Sequence, residues 1–235
     1  LYIGLAKVLQ ALGHPSKVYA PLTALIRREG DGFVQQDSIM NVDVLESLGS
    51  ATEKSLSVLP VREQDGQFAI GWRLAGEGGE MATCSNGAAF KLDMGLEEID
   101  REDTLLVCGG IDVQKSTTRA ITAWLRREAR RGVAIGGLCT GAYALAKAGL
   151  LDGKKATIHW ENQDGFLEEF EEVRLTKSVF VIDGNRLTTA GGTASIDLML
   201  KVIAADHGED LANTVADQLI YSTIRTDQDT QRLSI

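Results

Sequence analysis

The sequence predicts an α/β protein in which helices cover both faces of a parallel sheet. From residue 68 onward, short strand-like runs alternate with segments of helical periodicity, which is the order that a parallel sheet requires. Two of the runs, at 105–108 and 133–135, are continuously apolar and lead into glycine pairs. Such runs are typical of central strands that are buried on both faces.

The composition is that of an ordinary globular domain with an acidic surface. The 235 residues are 44% hydrophobic and 24% charged, and the formal net charge is −9. This charge disfavours direct binding of a nucleic-acid backbone by the segment itself. No apolar run reaches the roughly 20 residues that cross a bilayer, so we expect no membrane contact.

Cysteine and histidine are too few and too scattered for a metal site. The three cysteines, Cys84, Cys108 and Cys139, are an odd number without metal-ligand spacing, and two of them fall in strand-like runs. This usage favours a reduced, cytoplasmic compartment. The three histidines are dispersed along the chain, and we expect neither a metal nor a cofactor.

The first 67 residues are the least regular part of the chain. Apolar spacing predicts a helix before Gly13 and a second one from Leu22 to Gly30. Residues 42–48 fit a helical turn, whereas residues 55–61 fit either a strand or the end of a helix. We therefore describe 1–67 as a partly helical segment and predict no chemistry there.

From residue 68 each element is clearer. Strands are predicted at 68–74, 81–84, 105–110, 133–135, 155–160, 179–183 and 187–190, the last two as a hairpin-like pair. Helices are predicted at 116–131 (with an arginine-rich outer face, ended by Gly132), 141–151, 162–170, 194–206 and from Gly208 to about 224. The tail, 225–235, is polar.

The candidate site centres on Cys139, at the bend between a buried strand and a helix. Gly136 and Gly137 permit a sharp turn, and the small residues that follow favour a helix start. A side chain at this bend projects from the carboxyl edge of the sheet, where ligands of open α/β folds bind. The helix N-terminus would lower the pKa of the thiol.

A second glycine-flanked strand end lies beside this bend in the predicted sheet. The backbone N–H groups of Gly109, Gly110 and Ile111, with that of Thr140, would together cradle a carboxylate or an oxyanion. The alternative is that Cys139 is merely a small buried residue and that the glycines allow close packing.

The run His159-Trp160-Glu161 follows the strand predicted at 155–160. His159 would face Cys139 as a base or a ligand as a hydrogen-bond partner, while Trp160 and Glu161 would offer an aromatic face and a negative charge. An aromatic face beside a carboxylate suits an organic cation, especially an alkylated ammonium. The alternative is a structural histidine beside an interface tryptophan. A further turn at Gly191-Gly192 fits either an anion site or tight packing.

Five ordered motifs of this chain resemble the sensor domain of AraC-family transcriptional regulators, with the similarity extending from about Phe68 to Ile235. The motifs are residues 109–112, 136–142, 150–153, 157–162 and 187–193. That sensor has the class I glutamine amidotransferase-like (PfpI/ThiJ-like) fold. The resemblance therefore implies a flavodoxin-like three-layer sandwich with a mainly parallel sheet, spanning 68–224.

The resemblance also implies a function. A sensor of this family binds a small-molecule effector without catalysis, forms a homodimer and reaches DNA only through a separate helix-turn-helix domain. Residues 225–235 resemble the linker toward that domain, which we expect to lie outside this chain. The motifs Cys-Thr-Gly and His-Trp-Glu-Asn are similar to those of regulators that sense arginine, carnitine and glycine betaine, which implies a cationic or zwitterionic metabolite.

These expectations place the ligand against one set of residues. The predicted ligand-binding residues are Gly109, Gly110, Ile111, Asp112, Cys139, Thr140, His159, Trp160 and Glu161. The alternative is a cysteine-dependent hydrolase or amidase that uses Cys139, His159 and Glu161. The related hydrolases commonly have histidine directly after the elbow cysteine, and Thr140 in that position disfavours catalysis. A scaffold or chaperone with a vestigial site is a third possibility.

Overall fold

The computed structural model describes residues 25–29, 32–36, 56–61, 71–83 and 89–231. In chain order, the strands are β1 Leu25–Glu29, β2 Gly32–Gln36, β3 Leu56–Val61, β4 Gly71–Gly76, β5 Met81–Thr83, β6 Ala89–Lys91, β7 Thr104–Cys108, β8 Ala134–Leu138, β9 Lys155–Ala156, β10 Arg174–Leu175, β11 Phe180–Asp183 and β12 Arg186–Thr189. The helices are α1 Val113–Ser116, α2 Arg119–Arg131, α3 Ala142–Lys147, α4 Gln163–Glu169, α5 Ala194–His207 and α6 Glu209–Gln218.

The main sheet in the described part of the chain has six strands, in the order β11-β12-β8-β7-β3-β4. Its centre is parallel, because β8 pairs in parallel with both β7 and β12. The outer strands β3, β4 and β11 pair antiparallel. The α/β class is confirmed, and the sheet is mixed around a parallel centre.

Two apolar cores lie on opposite faces of this sheet. Leu105 and Val107 of β7 point into the core formed with α2 and α3, whereas Leu106 and Cys108 point into the core formed with α5 and α6. All four side chains are at most 1% exposed. Alternate residues of one strand are thus buried on both faces, which explains why the run at 105–108 is apolar throughout.

The arginine-rich face of α2 holds a loop rather than only facing solvent. Arg127 donates to the carbonyl of Leu96, and Arg131 donates to that of Ile99. Both arginines also pair with Glu128, whose side chain is fully buried. These bonds attach residues 96–99 to the helix that packs on the sheet.

The structure revises or decides several predicted elements, and it ends the helices predicted at 141–151 and from Gly208 to about 224 earlier, at Lys147 and Gln218. Residues 25–29, predicted as part of a helix, form a strand paired antiparallel with β2, so that prediction was wrong. The pattern at 55–61 fits either a strand or the end of a helix, and the structure has strand β3 there. The helix predicted at 116–131 begins at Arg119, because Thr118 is extended and its hydroxyl caps the N–H of Ile121.

The strand predicted at 155–160 is also much shorter. Only Lys155 and Ala156 are in strand conformation, and they pair with β10 outside the main sheet. The next amide, that of Thr157, donates to the hydroxyl of Thr188 on β12. Because a side chain replaces the backbone ladder at this point, the chain leaves the strand before it reaches His159.

The remaining predictions for 1–24 and 42–48 fall outside the described residues. Within the described ones, no helix combines the length and the apolar character that a bilayer crossing requires.

Candidate functional site

Cys139 occupies a strained turn between β8 and α3. Its φ is 57°, in the left-handed region that non-glycine residues rarely adopt, and residues 139–141 form a single 3-10 turn before α3. The side chain is 7% exposed. A non-glycine residue held in this conformation between a strand and a helix has the geometry of a nucleophile elbow.

The neighbouring loop after β7 packs directly against this turn. A Cβ on Gly109 would lie 1.9 Å from the N atom of Gly141, so no side chain fits there. The Gly109 amide donates to the carbonyl of Leu138, and the Thr140 hydroxyl donates to the carbonyl of Gly110 at 2.8 Å. The two strand ends predicted to converge are therefore in contact.

A buried hydroxyl pair supports the turn from behind. The Thr189 hydroxyl accepts from the Cys139 amide at 3.4 Å and from the Gly191 amide at 3.2 Å, and lies 3.0 Å from the Ser195 hydroxyl. A Cβ on Gly191 would lie 2.8 Å from the Cys139 sulfur. Close packing against Cys139 therefore accounts for the first glycine of the Gly191-Gly192 turn.

His159 reaches the site from the loop after β9. Its Nδ1 atom accepts a hydrogen bond from the amide of Glu161 and so caps the 3-10 turn Trp160–Asn162. The same atom lies 3.8 Å from the Glu161 carboxylate. The histidine side chain is 26% exposed. Its position depends on the tie between Thr157 and Thr188 and not on a strand of the main sheet.

These elements enclose a cavity of about 520 Å³, a volume typical of small-molecule sites. The lining residues are Gly110, Ile111, Asp112, Val113, Gln114, Lys115, Cys139, Thr140, Tyr143, Ile158, His159, Glu161, Asn162, Gly165, Phe166 and Glu169. Among the described residues, no group of three or more His, Cys, Asp or Glu side chains has the arrangement of a metal site.

The cavity wall carries more negative than positive charge. Its carboxylates are Asp112, Glu161 and Glu169, and its one lysine, Lys115, is 3.2 Å from Asp112. Glu169 accepts hydrogen bonds from the Lys147 ammonium at 2.8 Å and from the Tyr143 hydroxyl at 2.9 Å.

This hydrogen-bonded group shifts the pKa of each member. The bond from Lys147 lowers the pKa of Glu169 and raises that of Lys147. Burial raises the pKa of Tyr143, and the bond to Glu169 adds to this effect. At neutral pH the wall therefore presents a carboxylate beside an aromatic ring.

Most of the predicted site residues line this cavity. They are Gly110, Ile111, Asp112, Cys139, Thr140, His159 and Glu161. Gly109 instead packs beneath the turn, with its amide already bonded to Leu138. Trp160 lies outside the lining with 42% of its surface exposed, its ring centroid 5.6 Å from that of His159.

The aromatic surface of the cavity comes from residues that the sequence reasoning missed. Tyr143 on α3 and Phe166 on α4 line it, and each contacts the ring of Phe170. The signal was present in the motif, because Tyr143 is four residues after Cys139 and so projects from the first turn of the helix that the elbow starts.

Together, the parallel-centred sheet, the strained cysteine turn and the histidine across the same cavity define an α/β protein of the nucleophile-elbow class. The DJ-1/PfpI family model matches residues 30–205, and the chain belongs to this family. The match begins before residue 68 and includes β3 of the main sheet. The predicted boundary at residue 68 stays a prediction.

The similar proteins include transcriptional regulators. The HTH-type transcriptional regulator CdhR of Pseudomonas aeruginosa is 44% identical over 164 residues, which cover 70% of this chain and 49% of that protein. GbdR, another HTH-type transcriptional regulator of that species, is 36% identical over 207 residues, covering 87% of this chain and 54% of that protein. The chain thus spans about half the length of these relatives.

A solved structure agrees with this relationship. The crystal structure of an AraC family transcriptional regulator from Pseudomonas putida has a TM-score of 0.56 at 27% identity, covering 76% of this chain and 89% of that chain. The family also contains enzymes: the isonitrile hydratase of Pseudomonas putida is 34% identical over 141 residues, 60% of this chain and 61% of that protein.

Proposed function

We propose that this chain is the ligand-sensing domain of an AraC-type transcriptional regulator and binds a small cationic or zwitterionic metabolite. The observation that carries the proposal is the composition of one cavity wall. Strand-end residues beside Cys139, carboxylate residues and an aromatic residue all line the same space of about 520 Å³. The similarity to HTH-type regulators supports the sensing role.

The amides provide the part of the site that suits a carboxylate. Among the described residues, the N–H groups of Gly110 and Ile111 donate to no protein acceptor, although both residues line the cavity. Two successive backbone N–H groups beside a strand end form an anion-binding nest. We infer that the ligand carboxylate binds here, next to Thr140.

The acidic and aromatic residues provide the part that suits a cation. Glu161 and Glu169 line the cavity with the Tyr143 ring, and a carboxylate beside an aromatic face attracts an alkylated ammonium. Both carboxylates contribute to this attraction: Glu169 lies beside Lys147, and Glu161 lies beside His159. His159 would contribute a hydrogen bond.

Titration calorimetry with glycine betaine, carnitine, L-arginine and choline tests the proposal. We expect at least one zwitterion to bind and choline, which lacks the carboxylate, to bind at least tenfold more weakly than betaine. Glu161→Gln should weaken the binding about tenfold, since it removes a charge but not the shape of the side chain.

Glu168→Gln is the matched control. Glu168 is exposed on α4 and does not line the cavity, so its substitution should leave the affinity unchanged. Absence of heat with all four compounds in folded protein would overturn the cation–carboxylate proposal. Equal affinity for choline and betaine would overturn the role of the amides.

The full regulator would act as a homodimer and contact DNA through a helix-turn-helix domain beyond these residues. Ligand binding would favour one arrangement of the dimer and so change DNA binding. Sedimentation of the 235-residue chain with and without a binding compound tests the dimer; a monomer in both conditions would contradict it.

The second candidate is a cysteine-dependent hydrolase or amidase, favoured by the strained Cys139 and by His159 on the same cavity. It predicts rapid, selective alkylation of Cys139 near neutral pH and turnover that Cys139→Ala abolishes. An undiminished ligand response in Cys139→Ala would instead support the sensor.

A further inference from the structure

The C-terminal segment 225–231 contacts the chain that precedes β11 and, at its end, one loop of the cavity wall. Val179 donates to the carbonyl of Asp229, Gln231 donates to that of Lys177, and Ser178 forms an antiparallel bridge with Thr230. The segment therefore lies as a short extra strand against the chain that precedes β11. We name residues 225–231 the strap.

One end of the strap is firmly anchored. The backbone N–H and the guanidinium of Arg225 both bond to Asp197 of α5, whose side chain is fully buried. Arg225 also donates to the hydroxyl of Thr193, two residues after the Gly191 that packs against Cys139. A buried charge with several donors resists separation, so this end is expected to stay in place.

The other end is attached to the cavity wall through one side chain. The Gln231 Nε2 atom lies 2.8 Å from the Thr157 hydroxyl, 3.0 Å from the Ile158 carbonyl and 3.2 Å from the Ser178 carbonyl. Ile158 and the next residue in the chain, His159, both line the cavity. Because the Thr157 hydroxyl and the Ile158 carbonyl lie on the same loop, a displacement of 157–158 weakens both of these contacts together.

The attachment at Gln231 is incomplete. Its amide oxygen is buried and has no hydrogen-bond partner among the described residues. An unpaired buried carbonyl opposes docking. The docked and released states of this end are therefore closer in free energy than the contacts of the amide nitrogen alone indicate.

We propose that the strap is the output element of this domain: docking of Gln231 on Thr157 and Ile158 is coupled to the occupancy of the cavity. A ligand that contacts His159 and Glu161 acts on the same short loop that Gln231 holds. By linkage, any ligand that favours one position of the strap is itself bound more tightly in that position. The ligand part of this coupling rests on the proposed function.

Hydrogen exchange of the 235-residue chain without any ligand tests the mechanical part. In Gln231→Ala we expect amides of 157–162 to exchange at least fivefold faster than in the wild type, because the loop loses its tie to the strap. Gln228→Ala is the matched control, since Gln228 is exposed in the same strap. Unchanged exchange at 157–162 in Gln231→Ala would overturn the proposal.

A reciprocal variant separates coupling from a local loss of contacts. His159 belongs to the loop that Gln231 contacts. His159→Ala should therefore speed exchange of the backbone N–H of Gln231 at least threefold, whereas Glu168→Ala should not. A Gln231 amide that exchanges equally in His159→Ala and wild type would show a static attachment and overturn the proposal. Circular dichroism checks that each variant is folded.

Calorimetry with glycine betaine or L-arginine then tests the ligand part. Where the wild type binds one of them, Gln231→Ala should change its Kd at least threefold and Gln228→Ala should not; equal values would overturn the coupling. Where none of the four compounds of the titration panel binds, the proposed function fails, and the exchange measurements still decide whether strap and wall are coupled.

Discussion

At the scale of single residues, the turn at Cys139 depends on Gly109 having no side chain. A Cβ at this position would lie 1.9 Å from the Gly141 nitrogen and 2.3 Å from the Thr140 carbonyl carbon. These are backbone atoms that cannot rotate away. We expect Gly109→Ala to lower the free energy of unfolding by about 3 kcal/mol or more, measured by urea denaturation.

Gly165→Ala is the matched control for this prediction. Gly165 lies within α4, and a Cβ there meets no atom within 4 Å. The same substitution should therefore raise stability by about 0.5–1 kcal/mol, because alanine favours a helix more than glycine does. Equal effects of the two substitutions would show that backbone crowding at Gly109 is not the cause.

The sequence predicted those site residues that follow strand ends. The bends after β7 and β8 identified Gly110, Ile111, Cys139 and Thr140, because the carboxyl ends of parallel strands meet at one edge. Residues contributed by helices were not predicted. Whether Glu169 faces the cavity depends on the rotation and tilt of α4, and side-chain spacing alone does not determine these.

At the scale of elements, helices α3 and α4 are connected by Glu169. Its carboxylate accepts from Tyr143 and Lys147 of α3, and the bond from Lys147 holds its pKa below the usual 4.5. A carboxyl whose pKa falls on folding stabilises the native state above its unfolded pKa. This contribution is lost as the pH falls through the lower, native pKa.

We therefore expect Glu169→Gln to cost about 0.5 kcal/mol at pH 7, a small value because the pair is partly solvated. The difference from wild type should shrink below pH 4.5 and vanish near the acid limit of folding. Urea denaturation at several pH values measures it. Glu168→Gln, on the exposed face of the same helix, should show no such trend; a cost of Glu169→Gln that persists in acid would contradict the prediction.

The elements themselves were predictable to different degrees. The amphipathic helix α2, the largely apolar helix α5 and the apolar strand β7 have strong local patterns, and the structure confirms them. The strand expected at 155–160 was too long because Thr157 bonds to the Thr188 hydroxyl, 31 residues away. A contact at that separation leaves no trace in local periodicity.

At the scale of the whole molecule, the alternation of strands and helices was sufficient to predict the α/β class, and the motifs predicted the family. The antiparallel partners β3 and β4 were harder to predict. Strand β3 inserts between β4 and β7, and its pairing with β7 joins residues about 50 positions apart. The local pattern at 55–61 therefore left strand and helix end equally open.

The strap, residues 225–231, is packed as part of the folded domain and is more than a linker. Arg225 of the strap and Asp197 of α5 are 2.7 Å apart, with the carboxylate fully buried and the guanidinium 29% exposed. Removing one partner of a buried pair leaves the other charge uncompensated. We expect Arg225→Met and Asp197→Asn each to cost about 3 kcal/mol of unfolding free energy.

The double variant separates this pair from unrelated damage. If the two groups act mainly on each other, Asp197→Asn with Arg225→Met should cost about 2 kcal/mol less than the two single costs added together. Urea denaturation of all four proteins at pH 7 measures this difference. Strictly additive costs would mean that the ion pair contributes no coupling, and that the Arg225 guanidinium stabilises the fold through the Thr193 and Tyr221 hydroxyls instead.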